Sequence, residues 1–307
     1  MDMRDLGAAG GMQRMFRARY KLSEPGFISH VTQRAAGREP LFLEDSDYLA
    51  MLALLRETTD TFSLTVHAMC LMPNHVHLLL EPRERNLSEA MRSLYSRYAA
   101  RFNRKYERRG HLFGGPYRQA VCLDNTYLLT ASLYIHLNPV RAGLTASAKD
   151  YRWSSCLLYC QETKRESFID PDPILRLVHE DKTAARAEYS RLLREGGKAE
   201  PDNALEQEGA IETFCLRLAE IFPSLFKKLA GKGSGNNDGD SGPLLDITEL
   251  EQRIQEVSSD RSSLPETKEA KKYVLEQLLA RGYNKTEIAE RLNISRKTVY
   301  NILNYTH

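Results

Sequence analysis

"LMPNHVHLLLEP", residues 71–82, sets two histidines, His75 and His77, one residue apart in an otherwise apolar run. Pro73 and Asn74 are turn formers. The stretch before them, "FSLTVHAMCLM" (62–72), reads as a strand, and the chain returns along 75–81, so the two form a hairpin. Side chains alternate between the faces of a strand. His75, His77 and Leu79 share one face, and Val76, Leu78 and Leu80 share the other. A half-buried strand needs only the second face for its core. Two adjacent imidazoles on the free face make a possible two-ligand metal site. A pair of surface histidines at a strand start would carry the same dipeptide, so the rest of the chain has to decide.

Outward from the hairpin, "GFISHVTQRA" (26–35) reads as a first strand. "LEDSDYLAMLALLRETTD" (43–60) reads as a helix opening on acids, which suit a helix N-terminus. "NLSEAMRSLYSRYAARFNRKY" (86–106) predicts a long helix capped by Asn86 or Ser88, with Leu87, Met91, Leu94, Tyr98 and Phe102 near helical spacing. After the glycine-rich turn "RRGHLFGGP", "YRQAVCL" (117–123) reads as a fourth strand. Asp124 then caps "NTYLLTASLYIHL", which Pro139 is expected to stop. The order βαββαβ plus a further helix predicts an α+β fold. Its centre is a ferredoxin-like antiparallel sheet with two helices on one face and the other face free for a ligand or the extra helix.

Five segments follow: a loose N-terminus at 1–15, a domain at 16–150, a helical extension at 151–230, a linker at 231–265 and a small all-α unit at 266–307. The linker contains "GKGSGNNDGDSGP", which has no periodicity. It is not a phosphate-cradling loop, because the glycine and Ser/Thr spacing around its Gly-Lys pair is wrong. In the last unit, Asn284 caps "KTEIAERLN" and Ser295 caps "RKTVYNILNY", two short helices about a tight turn, which matches a helix-turn-helix. From Lys268 to His307 eight Lys/Arg face four Glu. Duplex DNA is the expected partner, through Arg296, Lys297, Thr298 and Asn301 on the second helix. A helical bundle for protein contacts is the competing reading.

The 307 residues are 42% hydrophobic with net charge +2, an ordinary soluble balance. The charge is uneven. Ten basic residues lie between Arg83 and Arg118 against three acids, which suggests a polyanion partner. Arg97, Arg101, Arg104, Lys105 and Arg118 are the candidate contacts, and a solvated helix face is the bland alternative. Five cysteines show no zinc-like pairing and are expected to be reduced, in the cytoplasm. No apolar run approaches membrane-spanning length, so no membrane partner is expected.

The helix after the fourth strand carries Tyr134 and Asn138, four apart and on one face. His136 points elsewhere. Alone, such a pair is an ordinary packing tyrosine and a helix-ending amide. The ordered set "MPNHVHLLLEP", "GHLFGGPYRQ", "YLLTASLYIHLNPVRAGL" and "YRWSS" resembles the HUH-type single-tyrosine transposases, especially the REP-associated tyrosine transposase branch. The resemblance covers residues 26–196.

The resemblance implies an HUH endonuclease-like fold, with His75 and His77 binding a divalent metal, Tyr134 as nucleophile and Asn138 joining the metal sphere. It implies metal-dependent cleavage and transfer of single-stranded or hairpin DNA through a 5′-phosphotyrosine. Tyrosine, with a pKa near about 10, is a poor nucleophile unaided. A metal can offset charge at the scissile phosphate. Mg²⁺ prefers oxygen ligands, and Mn²⁺ tolerates imidazole better. Tyr95, Tyr98 and Tyr127 are rival nucleophiles, and His30, His67 and His111 are rival third ligands. A domesticated, non-catalytic DNA-binding regulator is the alternative, and a metal-dependent phosphatase or nuclease a distant third. Monomer and homodimer are both open.

Overall fold

The computed structural model describes residues 21–163, 166–198, 210–231, 245, 247–259, 265–281 and 283–304. The N-terminal stretch read as loose, and the glycine-rich part of the linker, lie outside the described residues.

Four strands, β1 (Ser29–Arg34), β2 (Leu64–Met72), β3 (His75–Pro82) and β4 (Arg118–Val121), form one sheet of order β2-β3-β1-β4. All neighbours are antiparallel, as a ferredoxin-like sheet requires. The Pro73–Asn74 turn closes the β2–β3 hairpin, pairing Met72 with His75 and Cys70 with His77.

Helices α1 (Asp45–Thr61) and α2 (Leu87–Lys105) cover one face. There Val31, Val76, Leu78 and Leu80 pack against Met51, Leu55, Met91, Leu94 and Tyr98. The buried Asp47 carboxylate ties these helices together. It accepts from the Leu43 and Glu44 backbone N–H groups, from Lys105 Nζ and from Tyr106 Oη. Neither Asn86 nor Ser88 caps α2 with its side chain; Asn86 Nδ2 instead donates to the Phe62 carbonyl.

The opposite face, expected to receive a ligand or the extra helix, receives that helix, so the histidine side of β3 is buried. Helix α3 (Asn125–Arg141) lies on it, with Asp124 capping its start through the Tyr127 N–H. Around α3 pack α4 (Cys156–Cys160), α5 (Asp172–Val178), α6 (Lys182–Lys198), α7 (Ala210–Ile221) and α8 (Pro223–Gly231). Every residue of α3 from Tyr127 to Pro139 is buried. A helix apolar on all sides is a central helix, not a surface one. The result is three layers, with the sheet in the middle.

Pro139 does not stop α3, which runs on to Arg141. Proline removes one donor near the helix end, and the end is fixed elsewhere. Gly143 takes a left-handed φ of +67°, its N–H donates to the Val140 carbonyl, and the Leu144 N–H donates to the Pro139 carbonyl. These are the paired bonds of a Schellman ending.

The C-terminal unit comprises α9 (Ile247–Ser259), α10 (Pro265–Ala280), α11 (Lys285–Arg291) and α12 (Arg296–Leu303). Helix α9 falls inside the stretch read as linker. Its Leu250, Ile254 and Val257, at helical spacing, join the core of α10–α12. Leu22, Phe27 and Val121 from the edge of the sheet domain enter the same core. No helix among the described residues is long and apolar enough to cross a membrane.

Candidate active site

The register of the sheet brings the histidines to one place. On the α3 side, Thr32 of β1 lies opposite both His77 of β3 and Arg118 of β4. His30, two residues back on β1, turns to the same face. Its Nε2 lies 2.9 Å from His77 Nδ1, and the rings stack at 5.1 Å. Thr32 Oγ1 is 3.3 Å from both of those nitrogens. His75 Nδ1 lies 2.7 Å from Asn74 Oδ1. An amide oxygen only accepts, so His75 Nδ1 carries the proton and its Nε2 the lone pair.

His75, His77 and His30 are all buried. Burial, followed by the neighbouring His75, pulls the His30 imidazole down to about 4. Burial, then His75, His30 and Arg34, holds His77 well below its ordinary value. Both rings are therefore neutral near pH 7, the form in which imidazole ligates metals. His77 Nε2 is buried and has no hydrogen-bond partner. A buried, orphaned imidazole nitrogen beside a second histidine fits a metal ligand, since leaving it unpaired costs stability. Among the described residues no three His, Cys, Asp or Glu side chains gather as a metal cluster. The protein thus offers few ligands, and substrate or water oxygens would have to complete a coordination sphere.

Helix α3 brings Tyr134 over this group. Its ring meets His77 edge-on at 6.1 Å and His30 at 6.3 Å. Asn138, one turn on and buried, donates from Nδ2 to the Tyr134 carbonyl, 3.0 Å away. That bond uses the donor end of the amide, so Oδ1 is the end suited to a cation. Arg141, a further turn on, sets its guanidinium 5.4 Å from the Tyr134 ring centre and 4.0 Å from that of Phe214 on α7.

Of the rival residues, only His30 joins the group. His67 pairs with Glu81 at 2.8 Å, away from it. Tyr95, Tyr98 and Phe102 pack the core on the α2 side. His136 points away from Tyr134, as its helical position predicts, into a buried network. Its Nδ1 is 2.8 Å from Tyr189 Oη and its Nε2 2.7 Å from Ser155 Oγ, which also accepts from the Met69 N–H.

The predicted DNA contacts divide. Arg97 pairs with Glu57 at 2.7 Å, and Lys105 bridges Glu44 and Asp47. Those two cations serve the α1–α2 packing. Arg101 and Arg104 are exposed on α2. Arg118, through its register with Thr32, sits beside the histidines. On α12, Arg296, Lys297 and Asn301 are exposed, while Thr298 is half-buried and bonds the Ser295 cap. The sequence reading passed over Thr32, Asn74 and Arg141. Arg141 was within reach of it, seven residues after Tyr134 on the same helical stripe.

Residues 26–138 match the family model "Transposase IS200 like", and residues 272–305 match "Helix-turn-helix domain of resolvase". A solved structure, "Structure of the REP associates tyrosine transposase bound to a REP hairpin", aligns over 46% of this chain and 82% of that chain at 13% identity, with a TM-score of 0.41. No curated protein matches. Residues 26–138 are thus similar to IS200-like transposases and residues 272–305 to the helix-turn-helix domain of resolvases.

Proposed function

We propose that this protein cuts and rejoins single-stranded or hairpin DNA through a covalent 5′-phosphotyrosine at Tyr134. The observation that carries the reading is the placement of Tyr134 edge-on to His77, whose Nε2 is buried and unpartnered. His75, His77 and Asn138 Oδ1 would hold a divalent cation, Mg²⁺ or Mn²⁺. Such an ion supplies Lewis-acid stabilisation of charge on the scissile phosphate.

The chain's own residues do the rest. His30 and Thr32 fix the His77 ring, and Asn74 fixes that of His75. Tyr134 Oη loses its proton and attacks phosphorus. The bond from phosphorus to the 3′-oxygen breaks, and that oxygen leaves as a 3′-hydroxyl after taking a proton. One phosphodiester replaces another, so rejoining by the reverse attack needs no nucleotide cofactor. Residues 16–150 form the catalytic unit in this reading. Arg101, Arg104 and Arg118 contact the single strand, and Arg296, Lys297 and Asn301 contact duplex DNA nearby. The cysteines among the described residues are free, which suits a reducing compartment such as the cytoplasm.

The test is incubation of the full chain with labelled, hairpin-flanked single-stranded DNA and Mn²⁺ or Mg²⁺, followed by denaturing electrophoresis. A metal-dependent covalent band supports the reading. Duplex binding without any band would favour a non-catalytic regulator.

A further inference from the structure

Arg141 stands in a setting that stability alone does not explain. Its guanidinium is half-buried between two rings, Phe214 at 4.0 Å and Tyr134 at 5.4 Å. Its Nε is fully buried without a hydrogen-bond partner. Among the described residues no carboxylate pairs with it. A cation removed from water and left unpaired is costly. Burial accordingly pulls the group below its ordinary value; Tyr134 acts in the opposite sense and Arg217 in the same sense as burial. With no acid supplied to Arg141 among the described residues, its setting suits an anion.

A guanidinium over the Phe214 ring, 4.0 Å from its centre, still has N–H donors to offer, in a planar fork that matches phosphate oxygens. The residue is also held firmly. It is the last helical residue of α3, fixed from behind by the Gly143 and Leu144 bonds to Val140 and Pro139. It lies on the stripe of Tyr134 and Asn138, 5.4 Å from the centre of the Tyr134 ring.

We propose that Arg141 is a further catalytic residue, whose guanidinium binds a non-bridging oxygen of the phosphodiester attacked by Tyr134. The inference rests on the reading of Tyr134 as nucleophile. On attack, the phosphorus becomes five-coordinate and charge builds on its non-bridging oxygens. A fixed donor in a site closed to water is most effective at that moment.

Two measurements on the full chain test it. The first needs no chemistry. The arginine ¹⁵N Nε–H resonance that is absent from both Arg141→Gln and Arg141→Lys belongs to Arg141. Inorganic phosphate, added at constant ionic strength, should shift that resonance saturably in the wild type. The second is the rate of adduct formation at saturating hairpin-flanked DNA. Arg141→Gln should slow it about 100-fold, with DNA affinity changed less than about threefold, and Arg141→Lys should recover part of the loss. A resonance indifferent to phosphate, or an undiminished adduct rate in Arg141→Gln, overturns the proposal. If Arg141→Gln does not fold, the wild-type titration and the Arg141→Lys rate still decide. A wild type that forms no adduct removes the transesterification reading, while the phosphate titration separately settles whether Arg141 binds an anion.

Discussion

His30 Nε2 lies 2.9 Å from His77 Nδ1 across the β1–β3 pair, so one imidazole orients the other. With the proton on His77 Nδ1, the orphaned Nε2 carries a lone pair, in a ring 6.1 Å from that of Tyr134. Partners that fix a ligand's tautomer typically matter about 10- to 100-fold for metal affinity. His30→Leu should therefore weaken Mn²⁺ binding by about that factor, and His30→Gln by less. Electron paramagnetic resonance of free Mn²⁺ measures this directly. Unchanged affinity in His30→Leu, in a folded protein, would mean that His77 does not need the contact.

The buried rings also set a pH dependence. His30 is pulled down to about 4 and His136 to about 3 by burial, and His77 is lowered in the same direction. Below the unfolded value of 6.5 the unfolded chain binds protons that the native rings refuse. Their contribution is complete above pH 6.5 and is lost as pH falls toward the folded values. Each ring adds a slope approaching about 1.4 kcal/mol per pH unit. Urea unfolding at pH 7 and pH 5 should show the loss. A pH-independent midpoint would contradict the neutral, buried assignment.

His136 holds α3 to its surroundings. It joins Tyr189 of α6 to Ser155, and Ser155 bonds the backbone of β2 at Met69. His136→Leu removes two buried hydrogen bonds, at a cost of about 1–3 kcal/mol, although Tyr189 keeps Ser132 and Ser155 keeps Met69 as partners. Because α3 carries Tyr134, the same variant should slow adduct formation even at temperatures where it is folded. Equal stability of variant and wild type would show the network to be dispensable.

At the other end of the chain, Arg296 and Lys297 are exposed at the start of α12. If that helix enters a major groove, Arg296→Ala and Lys297→Ala should each weaken duplex binding. Each should also reduce the slope of log affinity against log salt by about 1. Point variants are preferable to deletion, since Leu22, Phe27 and Val121 share a core with α9–α12. Fluorescence anisotropy across a salt series reads both quantities. No change in slope would favour a protein-contact role for the unit.

Much of this was legible in the sequence because the relevant signals are local. The turn at Pro73–Asn74, the alternation in β3, and the caps Asp124, Asn284 and Ser295 all act within a few residues. Tyr134 and Asn138 share a face by helical period alone. What was not legible depends on contacts between distant segments. The histidine face of β3 is covered because α3 and the extension pack on it, and nothing in residues 71–82 records that. Side chains are buried on every side of α3, because α4 to α8 surround it, and those helices lie far along the chain. His30 was one histidine among several until the pairing of β1 with β3 set it diagonally across from His77, within hydrogen-bond reach. Arg141 needed Phe214, 73 residues away in α7, to become a buried cation.

The central claim is that Tyr134 is the nucleophile. Tyr134→Phe removes one oxygen and little volume, so the fold and Mn²⁺ binding should persist while the covalent protein–DNA adduct disappears. Tyr127→Phe, one heptad earlier on α3, should keep the adduct, and Asn138→Ala should reduce it partially. The decisive measurement is mass spectrometry of the nuclease-trimmed adduct from wild type and Tyr134→Phe, side by side. The account predicts a nucleotide on the peptide containing Tyr134 and none in the variant. An adduct that persists in Tyr134→Phe, mapped to another tyrosine, would contradict it.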